Sequence, residues 1–168
     1  MMNLYLLRHA IAAPRGVSCY ALDSKRPLTS DGAKKMRRVA KGMLALDLSF
    51  DYILSSPYVR AHQTAEIVVE VFKAKEKLKL TKHLTPSGNP EALLRELHSL
   101  PKPADRVLLV GHEPYLSRLI SQLFTGQPDH AVTMKKAGLC LLTAESLRED
   151  RCATLEWLLT PRQLALMR

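Results

Sequence analysis

Cysteine, aromatic residues and long hydrophobic runs are all scarce in this sequence, and each shortage excludes a class of protein. The three cysteines among 168 residues are widely spaced and form no CxxC pair, so neither a disulfide framework nor a zinc site is expected. No stretch of about 18 residues is uninterruptedly apolar, which excludes a membrane-spanning helix. The N-terminus lacks the basic segment that precedes the apolar run of a secretory signal. These features favour a cytoplasmic globular protein.

Acidic residues are also in short supply. The chain has 25 Lys and Arg against 16 Asp and Glu, which gives a formal net charge of +9. This balance favours anionic partners such as phosphoryl compounds, acidic proteins or nucleic acid, unless it serves solubility alone. Aromatic residues are only 5% of the chain and do not interleave with the basic groups, as a base-stacking surface would require. Nucleic acid is therefore the least favoured of these partners.

Strand-like apolar segments alternate with amphipathic, helix-like ones along most of the chain. The length suits one domain over residues 1–168, and no repeat or Gly/Ser-rich linker divides it. Strands are predicted over 4–7, 52–55, 78–80, 106–110, 140–143 and 154–158, and helices over about 29–46, 57–72, 90–100 and 114–124. This alternation predicts a layered α/β domain with a mostly parallel sheet.

Three predicted strands end in polar, turn-forming residues. Arg8-His9 follows the first strand, a segment ending in Arg60 follows the second, and Gly111-His112 follows the strand at 106–110. Ligands of an open α/β sheet bind outside the carboxyl ends of its strands, so these segments are expected to converge. Two arginines can donate forked N–H groups to phosphate oxygens, a neutral imidazole can attack phosphorus, and a second imidazole can stabilise charge if it is protonated. The pattern therefore predicts a phosphoryl-binding site.

These segments resemble the three signature segments of the histidine phosphatase superfamily. They read Leu6-Leu7-Arg8-His9-Ala10, SSPYVRAHQTA over residues 55–65, and Val110-Gly111-His112-Glu113-Pro114. The small size is similar to the SixA branch, the phosphohistidine phosphatases, as are the stretches at 26–32 and 84–89. The resemblance implies a three-layer α/β/α sandwich of the phosphoglycerate-mutase-like kind, with no metal and no organic cofactor.

The resemblance also implies roles for individual residues. His9 matches the nucleophile that is transiently phosphorylated, Arg8 and Arg60 match phosphate ligands, and His112 matches the second pocket histidine.

A loop over residues 18–26 is expected near the mouth of the site. Its Asp23 and Arg26 align with an Asp and an Arg of SixA-like chains, and they are expected either to bind substrate or to pair with one another. The other histidines, His62, His83, His98 and His130, and the polar pair Gln63-Thr64 are expected to be surface, packing or helix residues.

The chain departs from the family pattern at two places. Ala10 replaces the usual glycine, so the turn after His9 must use an ordinary backbone conformation. Many phosphoester-cleaving members have an acid about 25 residues after the second arginine, whereas this chain has His83 to Ser87 there. An alkoxide leaving group needs a proton donor more than a protonated imidazole does, so the missing acid favours a phosphoramidate substrate. Glu113 and Glu66 are the other carboxylates that could donate a proton, and neither is expected to do so.

The predicted function is that of a cytoplasmic, metal-independent phosphohistidine phosphatase. It would remove the phosphoryl group from a histidine of a protein, such as a phosphotransfer domain in phosphorelay signalling, and its pocket would also accept phosphate and other oxyanions. A small-molecule phosphomonoesterase of the same superfamily and a phosphoryl-binding module without turnover are the alternatives.

Overall fold

The computed structural model describes residues 1–16, 19–129 and 132–167. Within them the strands and α-helices follow one another in this order: β1 (Met2–Arg8), α1 (Ser30–Ala45), β2 (Tyr52–Ser55), α2 (Val59–Phe72), β3 (Leu78–Leu80), α3 (Pro90–Ser99), β4 (Arg106–Gly111), α4 (Tyr115–Thr125), β5 (Leu139–Ala144), β6 (Ala153–Leu159) and α5 (Pro161–Leu166). Short 3-10 turns occupy Asp23–Lys25, Lys75–Lys77 and Lys82–Leu84.

One sheet contains all of these strands, in the order β3-β2-β4-β1-β5-β6. The first four strands of that order are parallel to one another, whereas β5 is antiparallel to both of its neighbours. The expected mostly parallel α/β sheet is confirmed, and its antiparallel part lies at the C-terminal end of the chain.

Helices cover both faces of the sheet and complete the three layers. Alternate residues of β1 and β4 point to opposite faces because side chains alternate along a strand. On one face Leu6 and Leu109 join a buried cluster with α3 and α4. On the other face Leu7 and Val110 join a cluster with α1, α2 and α5. The central strands are therefore apolar on both sides, as is typical of a parallel sheet.

Helix starts follow local capping signals, with one shift that matters for the site. The Thr29 side chain accepts a hydrogen bond from the Gly32 N–H and begins α1 as predicted. The second helix was predicted to begin at Pro57, but it begins at Val59. The reason is a turn in which the Tyr58 N–H donates to Ser56 Oγ at 3.2 Å.

The C-terminal helix α5 was not predicted. It is only six residues long, too short for a clear helical periodicity, and begins with a capping box between Thr160 and Gln163. Its buried Leu164 packs on α1 at Gly42, where a Cβ would overlap the Leu164 carbonyl. The helix depends on this long-range contact, which a local pattern does not reveal.

The sheet brings the three predicted polar segments to one edge. In the β1–β4 register Arg8 lies opposite Gly111, and in the β2–β4 register Ser55 lies opposite Val110. The residues that follow each strand therefore start from adjacent positions at the carboxyl edge. Among the described residues, none of the helices is long and apolar enough to cross a membrane.

Candidate active site

A polar pocket of about 350 Å³ opens at the carboxyl edge of the sheet. All six residues predicted for the site line it: Arg8, His9, Asp23, Arg26, Arg60 and His112. Arg15, Lys136 and Glu113 also contribute to its walls, so cations outnumber carboxylates around the space. The arrangement is suited to an anion.

His9 is held as a neutral ring with a lone pair on one nitrogen. The side chain is 7% exposed, and its Nδ1 lies 2.7 Å from the Ala10 carbonyl oxygen. Because a carbonyl only accepts, Nδ1 carries the proton and Nε2 carries the lone pair. Burial lowers the pKa of His9 to about 3, and the cations of Arg60 and Arg8 act in the same direction against the Ala10 hydrogen bond. The ring is thus unprotonated at neutral pH.

Thr64 ties the turn after His9 to the helix that carries Arg60. Its fully buried hydroxyl accepts from the Ala10 N–H at 3.0 Å and donates to the Arg60 carbonyl at 2.6 Å. Ala10 does not adopt a positive φ, as expected for a residue that replaces glycine. We had expected Thr64 to be only a polar helix residue. Its spacing of four from Arg60, one turn along the same face, was the available signal.

Arg60 is almost completely buried and faces both His9 and the loop over the pocket. Its Nε lies 3.3 Å from His9 Nε2, the atom with the lone pair. Its Nη1 donates to the Asp23 carbonyl at 2.8 Å, and its Nη2 pairs with Asp23 Oδ2 at 3.0 Å. The lone pair of His9 and the guanidinium of Arg60 are therefore in contact.

Asp23 joins two buried arginines, and the Nε of the exposed Arg15 also lies 3.7 Å from its Oδ1. Arg26 Nε and Nη2 each lie 2.8 Å from its Oδ1, while Arg60 binds its Oδ2. Partial burial raises the pKa of the Asp23 carboxyl, but the hydrogen bonds and charges of these arginines outweigh it and hold the pKa below its usual value. The two expectations for Asp23 and Arg26 are thus compatible, since they pair with each other and also line the pocket. Of their predicted loop, Ser18 lies outside the described residues.

His112 is held through the opposite ring nitrogen. Its Nε2 lies 2.8 Å from Ser56 Oγ, which also accepts the Tyr58 N–H. Ser56 is fully buried, and His112 Nε2 is the acceptor that the described residues offer to its hydroxyl hydrogen, so we assign the hydroxyl as donor to Nε2 and the proton of the neutral ring to Nδ1. Burial lowers the pKa of His112 to about 2, with His9 and Arg60 adding to the effect. The ring of His112 is therefore neutral at neutral pH, so the charge stabilisation that a protonated second histidine would offer is not available here.

Two buried nitrogens of the pocket residues have no hydrogen-bond partner in the described part of the chain. They are His112 Nδ1 and Arg8 Nε. Buried polar groups are nearly always paired, so unpaired donors at a pocket indicate a place for acceptor atoms. Both residues line the pocket, and phosphoryl oxygens would supply such acceptors.

A segment between α4 and β5, from Met134 to Ala137, makes hydrogen bonds to Arg8 and His9. Arg8 Nη1 donates to the Met134 carbonyl at 2.7 Å, and the Ala137 N–H donates to the carbonyls of Arg8 and His9 at 3.1 and 3.2 Å. Ala137 adopts a φ of 61°, which an alanine rarely does. This segment and its Lys136 were not predicted as part of the site. The Lys135-Lys136 pair ahead of a glycine was the only local signal.

Both candidate proton donors make contacts outside the proposed chemistry. Glu113 lines the pocket, but its Oε1 accepts from the Ser117 N–H at 2.9 Å and so caps the first turn of α4. Glu66 lies 3.8 Å from His62 and borders a different cavity. His130 lies outside the described residues. Nowhere in the described ranges do three or more His, Cys, Asp or Glu side chains form a group that could hold a metal ion.

The sequence is similar to a known protein family and, over most of its length, to individual relatives. The sequence matches the histidine phosphatase superfamily (branch 1) over residues 4–85. An uncharacterized protein of Picosynechococcus sp. is 37% identical over 148 residues, which is 88% of each chain. The phosphohistidine phosphatase SixA of Escherichia coli strain K12 is 27% identical over 164 residues, covering 97% of this chain and 96% of that one.

Solved structures agree with the sequence matches. The protein histidine phosphatase SixA complexed with tungstate superposes with a TM-score of 0.80 at 27% identity, covering 97% of this chain and 99% of that one. A putative alpha-ribazole-5'-P phosphatase of Escherichia coli has the same fold, with a TM-score of 0.74 at 20% identity and coverage of 96% and 98%. The fold and the site define a phosphatase with a phosphoglycerate-mutase-like α/β sandwich. The chain belongs to the histidine phosphatase superfamily, within which it is SixA-like.

Proposed function

We propose that this protein is a phosphohistidine phosphatase that removes the phosphoryl group from a histidine of another protein through an intermediate on His9. Residues 1–168 would act as one catalytic domain without a metal or organic cofactor. The observation that carries the proposal is that the imidazole and the carboxylates of the pocket have different surroundings. A neutral imidazole lies among arginines, while each carboxylate of the pocket is engaged in a structural contact.

The first step is transfer of the phosphoryl group to His9. The lone pair on His9 Nε2 attacks phosphorus, and the bond between phosphorus and the substrate imidazole breaks with its electron pair going to that imidazole. Arg60 Nε lies 3.3 Å from Nε2, so the phosphoryl group is received beside a fixed positive charge. The hydrogen bond from Nδ1 to the Ala10 carbonyl stabilises the positive charge that develops on the His9 ring.

The second step is hydrolysis of the phosphorylated His9. Water attacks phosphorus, the Nε2–phosphorus bond breaks, and the electron pair returns to Nε2, which restores the neutral ring and releases phosphate. The unpaired donors His112 Nδ1 and Arg8 Nε would bind the phosphoryl oxygens in both steps. These donors are fixed before substrate arrives, so little reorganisation is needed as charge develops.

The engaged carboxylates favour a phosphoramidate over a phosphoester. Asp23 is held ionised between two arginines, and Glu113 caps α4, so neither is a good proton donor to an alkoxide. A phosphohistidine ring protonated on its second nitrogen leaves as neutral imidazole, and solvent can supply that proton. The similarity to the phosphohistidine phosphatase SixA of Escherichia coli supports the same substrate class for this chain. A phosphotransfer domain of a cytoplasmic phosphorelay fits the basic surface as a partner.

The decisive experiment compares two substrates in the presence of EDTA. A histidine-phosphorylated peptide and p-nitrophenyl phosphate are supplied to the wild-type protein and to His9→Ala. Rapid loss of phosphohistidine that His9→Ala abolishes, with slower ester cleavage, is expected. Faster hydrolysis of small phosphoesters than of phosphohistidine would instead support the small-molecule phosphomonoesterase.

A further inference from the structure

A second cavity lies beside the catalytic pocket and takes no part in the chemistry described above. It has a volume of about 690 Å³, against about 350 Å³ for the catalytic pocket. Its walls are the loop from Pro86 to Pro90, which precedes α3, and one side of α4. Pro86 lines both cavities, and the consecutive residues Glu113 and Pro114 line one each. The two spaces therefore adjoin at the carboxyl edge of the sheet.

The floor of this cavity is apolar except for one hydroxyl. Leu94, Leu119 and Leu123 line it and are at most 4% exposed. Tyr115 also lines it and is 6% exposed, and its hydroxyl has no hydrogen-bond partner in the described part of the chain. The other two such atoms belong to the catalytic pocket, where the proposed substrate would pair them. By the same reasoning the Tyr115 hydroxyl indicates a ligand group in this second cavity.

The rim of the cavity differs from that of the catalytic pocket in charge. It carries the exposed side chains of Glu91, Glu149 and Arg118, so neither sign dominates. A mixed rim does not select a strongly charged ligand. An apolar floor with a single buried donor suits an apolar side chain flanked by main-chain groups.

We propose that this cavity binds the polypeptide next to the phosphohistidine of the substrate. An apolar side chain of that segment lies on the leucine floor, and a main-chain carbonyl accepts a hydrogen bond from Tyr115. The inference rests on the proposed function, because it needs a substrate that is a polypeptide. Continuity of the two spaces carries it: the chain bearing the reacting imidazole must leave the catalytic pocket across a rim that Pro86 shares with the cavity.

The test uses substrates with the same leaving group and different amounts of polypeptide. One is phosphohistidine as the free amino acid, and the second is a 12-residue peptide with phosphohistidine at its centre and leucines on both sides. A third peptide has serines in place of those leucines. We expect the wild-type kcat/KM for the leucine peptide to exceed that for free phosphohistidine by about tenfold or more.

Two variants alter the cavity without touching the catalytic pocket. Arg118→Trp places a large ring at the mouth, and Tyr115→Phe removes only the unpaired hydroxyl. Arg37→Trp is the matched control, because Arg37 and Arg118 are both half-exposed arginines on helices, each in one surface ion pair. Arg118→Trp should raise KM for the leucine peptide about tenfold, and Tyr115→Phe a few-fold, with kcat and the rate on free phosphohistidine unchanged.

The outcomes separate this inference from the proposed function. Equal rates on the peptides and on free phosphohistidine, or equal losses on all three substrates in Arg118→Trp, would overturn the inference and leave phosphohistidine hydrolysis standing. A similar rise in KM in Arg37→Trp would also overturn it. If wild-type protein cleaves p-nitrophenyl phosphate but none of the three phosphohistidine substrates, the proposed function fails, and this inference fails with it.

Discussion

The surroundings of the two pocket histidines differ in a way that separates their roles. His9 and His112 follow the neighbouring strands β1 and β4, and their ring centroids are 5.1 Å apart. His9 is held through Nδ1 by the Ala10 carbonyl, whereas His112 is held through Nε2 by Ser56 Oγ. Burial lowers the pKa of both rings, so charge does not distinguish them. The hydrogen bonds distinguish the two rings, because His9 has its lone pair on Nε2 and His112 has its N–H at Nδ1.

The largest effect should come from removing each ring in turn. His9→Ala removes the proposed nucleophile and should lower phosphohistidine turnover by about 10⁴-fold or more. His112→Ala removes one donor to the phosphoryl oxygens and should cost about 10²- to 10³-fold in kcat. Rapid-quench assays with ³²P-labelled substrate measure both rates and detect the phosphorylated enzyme. That species should form in His112→Ala and be absent in His9→Ala; a phosphoenzyme in His9→Ala would refute the assignment.

A smaller effect should come from the hydroxyls that hold the two rings. Thr64→Val keeps the shape of the side chain but loses the acceptor for the Ala10 N–H, so the carbonyl that binds His9 is no longer fixed. Ser56→Ala removes the partner of His112 Nε2. Each should lower kcat about tenfold with little change in KM, and each should destabilise the fold by about 1–3 kcal/mol through unpaired buried groups.

Conservative replacement is the control for these hydroxyls. Thr64→Ser and Ser56→Thr keep a hydroxyl and should restore most of the rate when measured beside the first pair. If kcat merely parallels the midpoint of urea-induced unfolding across all four variants, the hydroxyls stabilise the fold without positioning the rings.

The similar pKa values of the two rings give a prediction in solution. NMR titration of the histidine ring protons should find His9 and His112 neutral at pH 5, because their pKa values are about 3 and about 2. Unfolded histidines have a pKa near 6.5, so the unfolded chain takes up protons first as pH falls. The free energy of unfolding should therefore decrease from about pH 6.5 downward. A pocket ring that titrates above pH 6 would contradict this.

The smallest effect should come from the carboxylate of Asp23, which pairs with Arg60. Asp23→Asn keeps the size of the side chain and removes a negative charge that would repel the phosphoryl group. Inorganic phosphate should then inhibit about two- to fivefold more strongly, since the carboxylate is partly exposed and screened by solvent. Inhibition constants for both proteins, measured at two salt concentrations, check this. Weaker inhibition would mean that Asp23 chiefly orients Arg60.

The sequence was most informative where a local pattern matched a local structure. The strands around the site lie within one or two residues of their predicted bounds, because short apolar runs that end in glycine or charged residues mark buried parallel strands. Arg8, His9 and His112 lie at the ends of those strands and Arg60 lies in the first turn of α2, and the shared carboxyl edge of the parallel strands brings them together. Helix α5 and the Lys136 segment were missed because their contacts are distant in sequence.

Local patterns by themselves therefore determined the α/β class and the convergence of Arg8, His9, Arg60 and His112 on one pocket. Only the tertiary structure decided how these groups are held. Which nitrogen of His112 carries the proton depends on a hydrogen bond across the fold, from the Ser56 hydroxyl, 56 residues away. That Glu113 caps a helix and Asp23 bridges two arginines is likewise a matter of three-dimensional contact. The type of a residue fixes which hydrogen bonds and charges its side chain can offer. The contacts it makes in the folded protein decide which of these remain available to a substrate.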